Sequence, residues 1–315
     1  MRIAVLLLAY FFAILAYFFA ISIEPVKVRS GNPVVQNFPK PQGKSEPLSP
    51  QQIAQLQEVT EIAISPNGKH IAYILRVPRK LPQEKNGSAW QELHVITVDG
   101  QSRSYLRGQF RASKISWTPD GRGISFLAKK PGKNRRKSLY LMPVNGGQAK
   151  RILTHETDIK EYSWSPSGKQ VAFLATEKLA KKQQKLKKLG FNQQIFREDW
   201  RSVEVWLSNL EKNSKPQVLE LPGSASELHW GPMGRKLAVA LAPTSLVDDS
   251  YTSRKVRIIE VKSGRIIQRI NNVGKLGQIA WSPDGTRLGI IGSVNERDPE
   301  AGRIQVAKAN QSRLE

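Results

Sequence analysis

Apolar and polar positions along the chain follow one pattern five times. In "ISWTPDGRGISFLA" (Ile115 to Ala128) an apolar run enters the turn Pro119-Asp120-Gly121 and a second apolar run leaves it. The pattern recurs at Pro66-Asn67-Gly68, Pro166-Ser167-Gly168, Pro232-Met233-Gly234 and Pro283-Asp284-Gly285. Two residues before each Pro stands Ile64, Trp117, Trp164, Trp230 or Trp281, and five after it Ile71, Ile124, Val171, Leu237 or Leu288. The next position is small every time: Ala72, Ser125, Ala172, Ala238 and Gly289. Pro and Gly around a polar residue make a tight turn, so each unit predicts a β-hairpin. Apolar runs without strict alternation, such as Val171-Ala172-Phe173-Leu174, predict inner strands covered on both faces. The small column lets neighbouring sheets approach, and the Trp column fills the wider gap.

A second hairpin follows most units, beginning in "ELHVITVDG", "SLYLMPVNGG", "VEVWLSNLEKN" and "KVRIIEVKSG". Two hairpins make a four-stranded sheet, and the Pro-to-Pro spacings are 53, 47, 66 and 51 residues. Sheets repeating at about 40–50 residues are the signature of a β-propeller. The expected fold over residues 48–315 is therefore all-β, a propeller of about five blades. The last blade is incomplete, because "GRIQVAKAN" is followed by no turn and fourth strand. The long 66-residue spacing predicts an insertion over about 177–202, opening with a basic helix in "EKLAKKQQKLKKLG".

Outside the repeat the pattern changes twice. Residues 1–23 contain a run from Ile3 to Ile23 without a charge, long enough to span a bilayer as a helix. Ala20-Ile21-Ser22 has the small-residue spacing of a signal-peptide cleavage site. A retained membrane anchor through residues 3–23 and a cleaved signal both remain open, and either implies export to the periplasm or another extracytoplasmic space. Residues 24–47 form a Pro-rich extended linker. Ser49-Pro50-Gln51-Gln52 then reads as a helix start, with Ser as N-cap and Gln at the third position, and predicts a short helix from Pro50 to about Glu58.

Composition narrows the chemistry. The chain has 315 residues, no Cys, and 49 Lys plus Arg against 26 Asp plus Glu, a formal charge of +23. No disulfide, thiolate metal site or cysteine nucleophile is available. The positive surplus suits anionic partners but is spread along the chain. Nucleic acid is a disfavoured partner because of the export signal. No G-x-S-x-G string occurs, so a nucleophile elbow is missing. His70, His94, His155 and His229 read as structural or surface residues without a Ser partner. No residue is assigned a catalytic, cofactor-binding or metal-binding role, and no cofactor is expected.

The units "SWTPDGRGISFLA" and "AWSPDGTRLGIIG" resemble the WD-like repeats of TolB-type propellers. "LSPQQIAQLQEVTEIAISPNGKHIAYIL" is similar to the start of the propeller in exported members of the prolyl oligopeptidase family, the acylaminoacyl-peptidase and dipeptidyl-aminopeptidase type. "EDWRSVEVWLSNLEKN" and "RDPEAGRIQVA" share that likeness. The resemblance implies a serine peptidase whose propeller screens the active site and admits short peptides. Its Ser-Asp-His triad would lie on an α/β-hydrolase domain after the propeller, which this sequence lacks. Some dipeptidyl peptidases of the family carry a Glu pair after Asp-Trp that grips the free amine of the substrate. Here Asp199-Trp200 is followed by Glu204 alone, so no such role is carried over. Two readings result: the propeller part of such a peptidase, shortened from a longer protein, with peptides or a hydrolase domain as partner, or a non-enzymatic exported scaffold. The second needs the missing last strand to come from about Pro33 to Phe38.

Overall fold

The computed structural model describes residues 47–311 apart from 108–110, 130–135, 192, 194, 196–199, 212–213 and 297–301. The apolar run of 3–23, the strand suggested at Pro33 to Phe38 and nearly all of the linker fall outside the described residues. Among those described, no helix is long and apolar enough to cross a membrane.

Five antiparallel sheets succeed one another along the chain. The first holds β1 (Glu58–Ile64), β2 (His70–Val77), β3 (Trp90–Thr97) and β4 (Ser102–Leu106), and the second β5 (Ser113–Trp117), β6 (Gly123–Lys129), β7 (Lys137–Pro143) and β8 (Lys150–Leu153). The third holds β9 (Ile159–Trp164), β10 (Gln170–Thr176), β11 (Val203–Asn209) and β12 (Gln217–Leu219). The fourth holds β13 (Ser224–Trp230), β14 (Lys236–Ala242), β15 (Lys255–Glu260) and β16 (Ile266–Arg269). The fifth has three strands among the described residues, β17 (Val273–Trp281), β18 (Arg287–Ser293) and β19 (Arg303–Lys308). Strands are hydrogen-bonded in chain order within every sheet, so the Pro-Gly turn joins the first and second strand each time.

Hydrogen bonding explains the turn. The hydroxyl before the Pro (Ser65, Thr118, Ser165 or Ser282) accepts the N–H five residues on, at 2.9–3.0 Å. The same hydroxyl bonds the side chain of Asn67, Asp120, Ser167 or Asp284, which also receives the N–H two residues after itself. These bonds hold the exposed carboxyl of Asp284 down to about 2. The following Gly has φ between 69° and 73° in every unit, a region that costs other residues about 1–2 kcal/mol. The fourth unit lacks both side-chain partners, having Gly231 and Met233 in their places.

Four apolar interfaces hold the five sheets together. Ala72, Ile74 and Leu93 pack on Trp117, Ile124 and Phe126 between the first and second sheets. Leu127 and Leu139 meet Val171 and Phe173 between the second and third, and Leu174 and Val205 meet Leu228 and Leu237 between the third and fourth. Val256 and Ile258 meet Leu288 and Ile290 between the fourth and fifth. Burial along the second strands follows from this order. In β6, β10 and β14 nearly every residue is buried, as a strand covered on both faces must be. In β2 burial is concentrated at Ala72 and Ile74, and in β18 the run Leu288 to Ile291 alternates between buried and half-buried. The outermost sheets are therefore covered on one face, and the described residues form an open arc.

Three of the four Trp residues of the column bond the sheet before their own. The Trp117 and Trp281 indoles donate to the carbonyls of Ala63 and His229, at 2.9 and 3.1 Å. Trp164 donates instead to the Ser125 hydroxyl at 2.8 Å, which in turn bonds Tyr162 Oη and the Ser116 carbonyl. Trp230 Nε1 is buried without a partner. Ala172 holds the position in the third sheet that Ser125 holds in the second, and it has no hydroxyl where Ser125 has one.

Two local expectations change. The first helix, α1, covers only Pro50–Ala54 and not the stretch to Glu58, which already belongs to β1. Its start is as expected: the Ser49 hydroxyl accepts the Gln52 N–H, and Gln52 returns a bond to the Ser49 N–H. Ile53 and Leu56 are both more than half exposed, so no packing rewards a further turn. The insertion does carry a helix, α2 (Lys181–Lys188), with no buried residue. A third helix, α3 (Val247–Thr252), lies between β14 and β15.

Candidate functional site

The first strands of adjacent sheets, β1 with β5, β9 with β13 and β13 with β17, pack against one another and form the inner wall of the arc. Each carries a register slip at the same place, between Val59 and Glu61, Ser113 and Ser116, Ile159 and Glu161, Ala225 and Glu227, and Leu276 and Ile279. A bulge adds a residue to one strand and re-aims the side chain next to it. The residues at this point stand three before the aromatic column: Glu61, Lys114, Glu161, Glu227 and Gln278. Lys114 itself has φ 55°, in the left-handed region that a non-glycine residue enters at a cost.

The aimed side chains bridge sheets. Glu61 accepts the Ile115 N–H at 3.0 Å, and Glu227 accepts the Ile279 N–H at 3.1 Å, so the same link is made 54 and 52 residues apart. Lys114 Nζ lies 2.5 Å from Glu161 Oε2. His229 Nε2 lies 2.7 Å from Glu227 Oε1. Tyr162 Oη donates to the Lys114 carbonyl at 2.8 Å and locks the bulge from the third sheet.

The charges act on one another. Burial works against the Lys114 ammonium, but its bond and ion pair with Glu161 and the fields of Glu61 and Glu227 prevail and raise its pKa. Burial pushes the Glu61 carboxyl up, against the bonds from the Ile115 and Lys114 N–H groups and the charge of Lys114. Burial likewise raises the Tyr162 hydroxyl. Three carboxylates act on the Lys114 ammonium, while the Arg254 guanidinium bonds Ser226 of β13 and the Leu276 carbonyl of β17.

The Glu61 shift has a measurable sign. From its ordinary value of 4.5 up to its raised folded value, the folded chain binds more protons than the unfolded one. Its contribution to stability is thus lost as the pH rises through that window. Glu61→Gln keeps an acceptor for the Ile115 N–H and removes the titration. The unfolding free energy of the variant minus that of the parent should increase as the pH rises above 4.5 in urea titrations. A difference that stays flat across this range contradicts the assigned shift.

The network is built for holding sheets, and its polar atoms are engaged in doing so. The four histidines are placed apart. His94 bonds Glu92 at 2.9 Å and stacks on Tyr73, while His155 bonds Thr157 and packs between Phe173 and Trp206. Burial lowers the His155 pKa. His70 lies against Trp117. Among the described residues no histidine ring is hydrogen-bonded to a serine, and no group of three His, Asp or Glu side chains has the geometry to hold a metal. Asp199 falls outside the described residues. Trp200 is exposed, and Glu204 lies in β11 with its carboxyl pushed up by burial and by Glu177. The inner-wall column escaped the sequence reading because its residue type varies. The signal that marks it is a polar residue three before each aromatic position, Glu in three of five units.

No protein-family model matches the chain. A stretch of 100 residues is 29% identical to an uncharacterized peptidase, YuxL, of Bacillus subtilis (strain 168) and covers 32% of this chain and 14% of that protein. A stretch of 88 residues is 30% identical to dipeptidyl-peptidase 5 of Porphyromonas gingivalis, covering 28% and 12%. The matched region is thus a small part of either relative. Among solved structures, an acylaminoacyl peptidase of Pyrococcus horikoshii superposes with a TM-score of 0.58 at 14% identity, over 84% of this chain and 39% of that one. TolB of Acinetobacter baumannii gives 0.53 at 17% identity, over 78% and 52%. The β-propeller domain of the trilobed protease of Pyrococcus furiosus gives 0.52 at 11% identity, over 82% and 70%. These structures share the fold, and the chain has the propeller architecture its repeats predict.

Proposed function

We propose that this chain is the propeller portion of an exported serine peptidase of the prolyl oligopeptidase type. In this reading it gates peptide access to an α/β-hydrolase domain that lies outside the given sequence. The observation that carries the reading is the coincidence of two independent likenesses. The sequence is similar to two peptidases over about a hundred residues, and the fold matches the propellers of an acylaminoacyl peptidase and a trilobed protease. An arc of five sheets is a wall: it excludes folded substrates by its bulk and leaves the chemistry to another domain. The alternative, a self-contained scaffold, asks for a closed ring.

The 315-residue chain by itself should not hydrolyse peptidyl or aminoacyl chromogenic substrates. Hydrolysis that a serine-directed inhibitor abolishes would overturn the proposal. The DNA following codon 315 should encode an α/β-hydrolase with a G-x-S-x-G elbow. A frame without one transfers the case to the scaffold. Fractionation of cells expressing the chain should find it outside the cytoplasm, and a cytoplasmic pool would remove the export element.

A further inference from the structure

The third and fourth sheets enclose a cleft of about 730 Å³ at their turn-bearing ends, on the outer part of the arc and away from the inner wall. Equivalent positions in the two sheets explain its charge. In the third sheet the residue after the turn glycine, Lys169, pairs with Glu211 at 3.2 Å. The corresponding residues of the fourth sheet are Arg235 and Lys262, since Gln170 faces Asn209 as Lys236 faces Glu260. Two cations thus replace an ion pair. In the second sheet the matching Arg122 lies 4.0 Å from the turn carboxylate of Asp120. The fourth turn has Met233 there, so Arg235 lacks that partner as well. Lys215 adds a third cation to the lining, and none of the three makes an ion pair among the described residues.

We infer that this cleft binds an acidic peptide segment. Three cations and a single carboxylate, Glu260, line the cleft, and a ligand with two or more carboxylates neutralises the positive excess. The rest of the lining selects a peptide over a compact phosphate. Gln170 and Gln217 present amides, which donate to and accept from a peptide backbone, and Leu207 and Val261 add apolar surface. The Glu260 carboxylate accepts from peptide N–H groups and repels a small, densely charged anion. A cleft of this size holds a ligand of a few residues.

The test is fluorescence anisotropy of a labelled tetra-aspartate peptide against the full 315-residue chain at low ionic strength. The peptide should bind, more weakly as salt rises. Lys262→Glu, which restores the ion pair of the third sheet, should weaken binding about tenfold. Met233→Asp, which gives Arg235 a turn carboxylate, should weaken it in the same direction and serves if the first variant does not fold. Arg122→Ser, the equivalent site on the second sheet, should leave the affinity unchanged. No binding of the peptide, equal affinity in the folded Lys262 and Met233 variants, or equal loss in Arg122→Ser would each overturn the inference. Binding of pyrophosphate in place of the peptide would overturn the peptide assignment.

Discussion

Gly223→Ala is expected to cost about 4–5 kcal/mol or to prevent the fourth sheet from forming. Gly223 sits just before β13 with φ +91°, in the region that L side chains rarely adopt. A Cβ placed there would fall on the carbonyl oxygen of Ala242, well inside van der Waals contact, and close to the carbonyl oxygen of Pro243. Both obstacles are backbone, so no rotamer change relieves them. The residue next in chain, Ser224, is in register with Ala242, so shifting either strand breaks the hairpin that starts the sheet. The fourth sheet also supplies one side of two apolar interfaces, so its loss spreads to both neighbours. Urea unfolding monitored by Trp fluorescence, with hydrogen exchange over residues 224–270, measures the effect. A variant within about 1 kcal/mol of the parent would show that the hairpin tolerates a Cβ at this point.

Phe173→Ala comes second, with an expected loss of about 3–5 kcal/mol. Phe173 is fully buried in β10, between the second and third sheets. Its ring stacks near Trp206 at a centroid distance of 6.3 Å and meets the His155 ring edge-on at 5.5 Å. Backbone pairing on both sides, to Tyr162 in β9 and Trp206 in β11, keeps the strand from collapsing into the space left behind. The cavity therefore persists, and its cost adds to the lost transfer energy. Phe173→Leu retains most of the volume and should lose markedly less. Equal losses for Ala and Leu would place the effect in ring contacts and not in the cavity.

Much of this architecture is legible in the sequence because a tight turn and a buried strand are local demands. Pro66 to Gly68 and its four counterparts announce the turns, and the column Ala72, Ser125, Ala172, Ala238 and Gly289 announces close packing. The Trp column was legible as filler, but its indole bonds were not. Trp164 bonds Ser125 across 39 residues while Trp230 Nε1 is buried without a partner, and nothing local distinguishes the two. The inner wall was less legible still. Glu61 and Glu227 make the same link to the next sheet, yet the bulges that aim them are backbone features without a fixed residue type.

By itself the sequence determined the repeat, the turns and the four-stranded units, since each follows from spacing and side-chain size over a few residues. Only the tertiary structure decided which strands are covered on both faces among the described residues. Ile71, Tyr73 and Leu75 are as apolar as residues in a covered strand, and whether a face is covered depends on a neighbour far along the chain. The same holds for charge. Lys169 and Arg235 occupy one column of the repeat, yet one pairs with Glu211 and the other lines a cleft together with Lys262. Residue type sets what a side chain offers, and the strand that folds beside it sets what that offer meets.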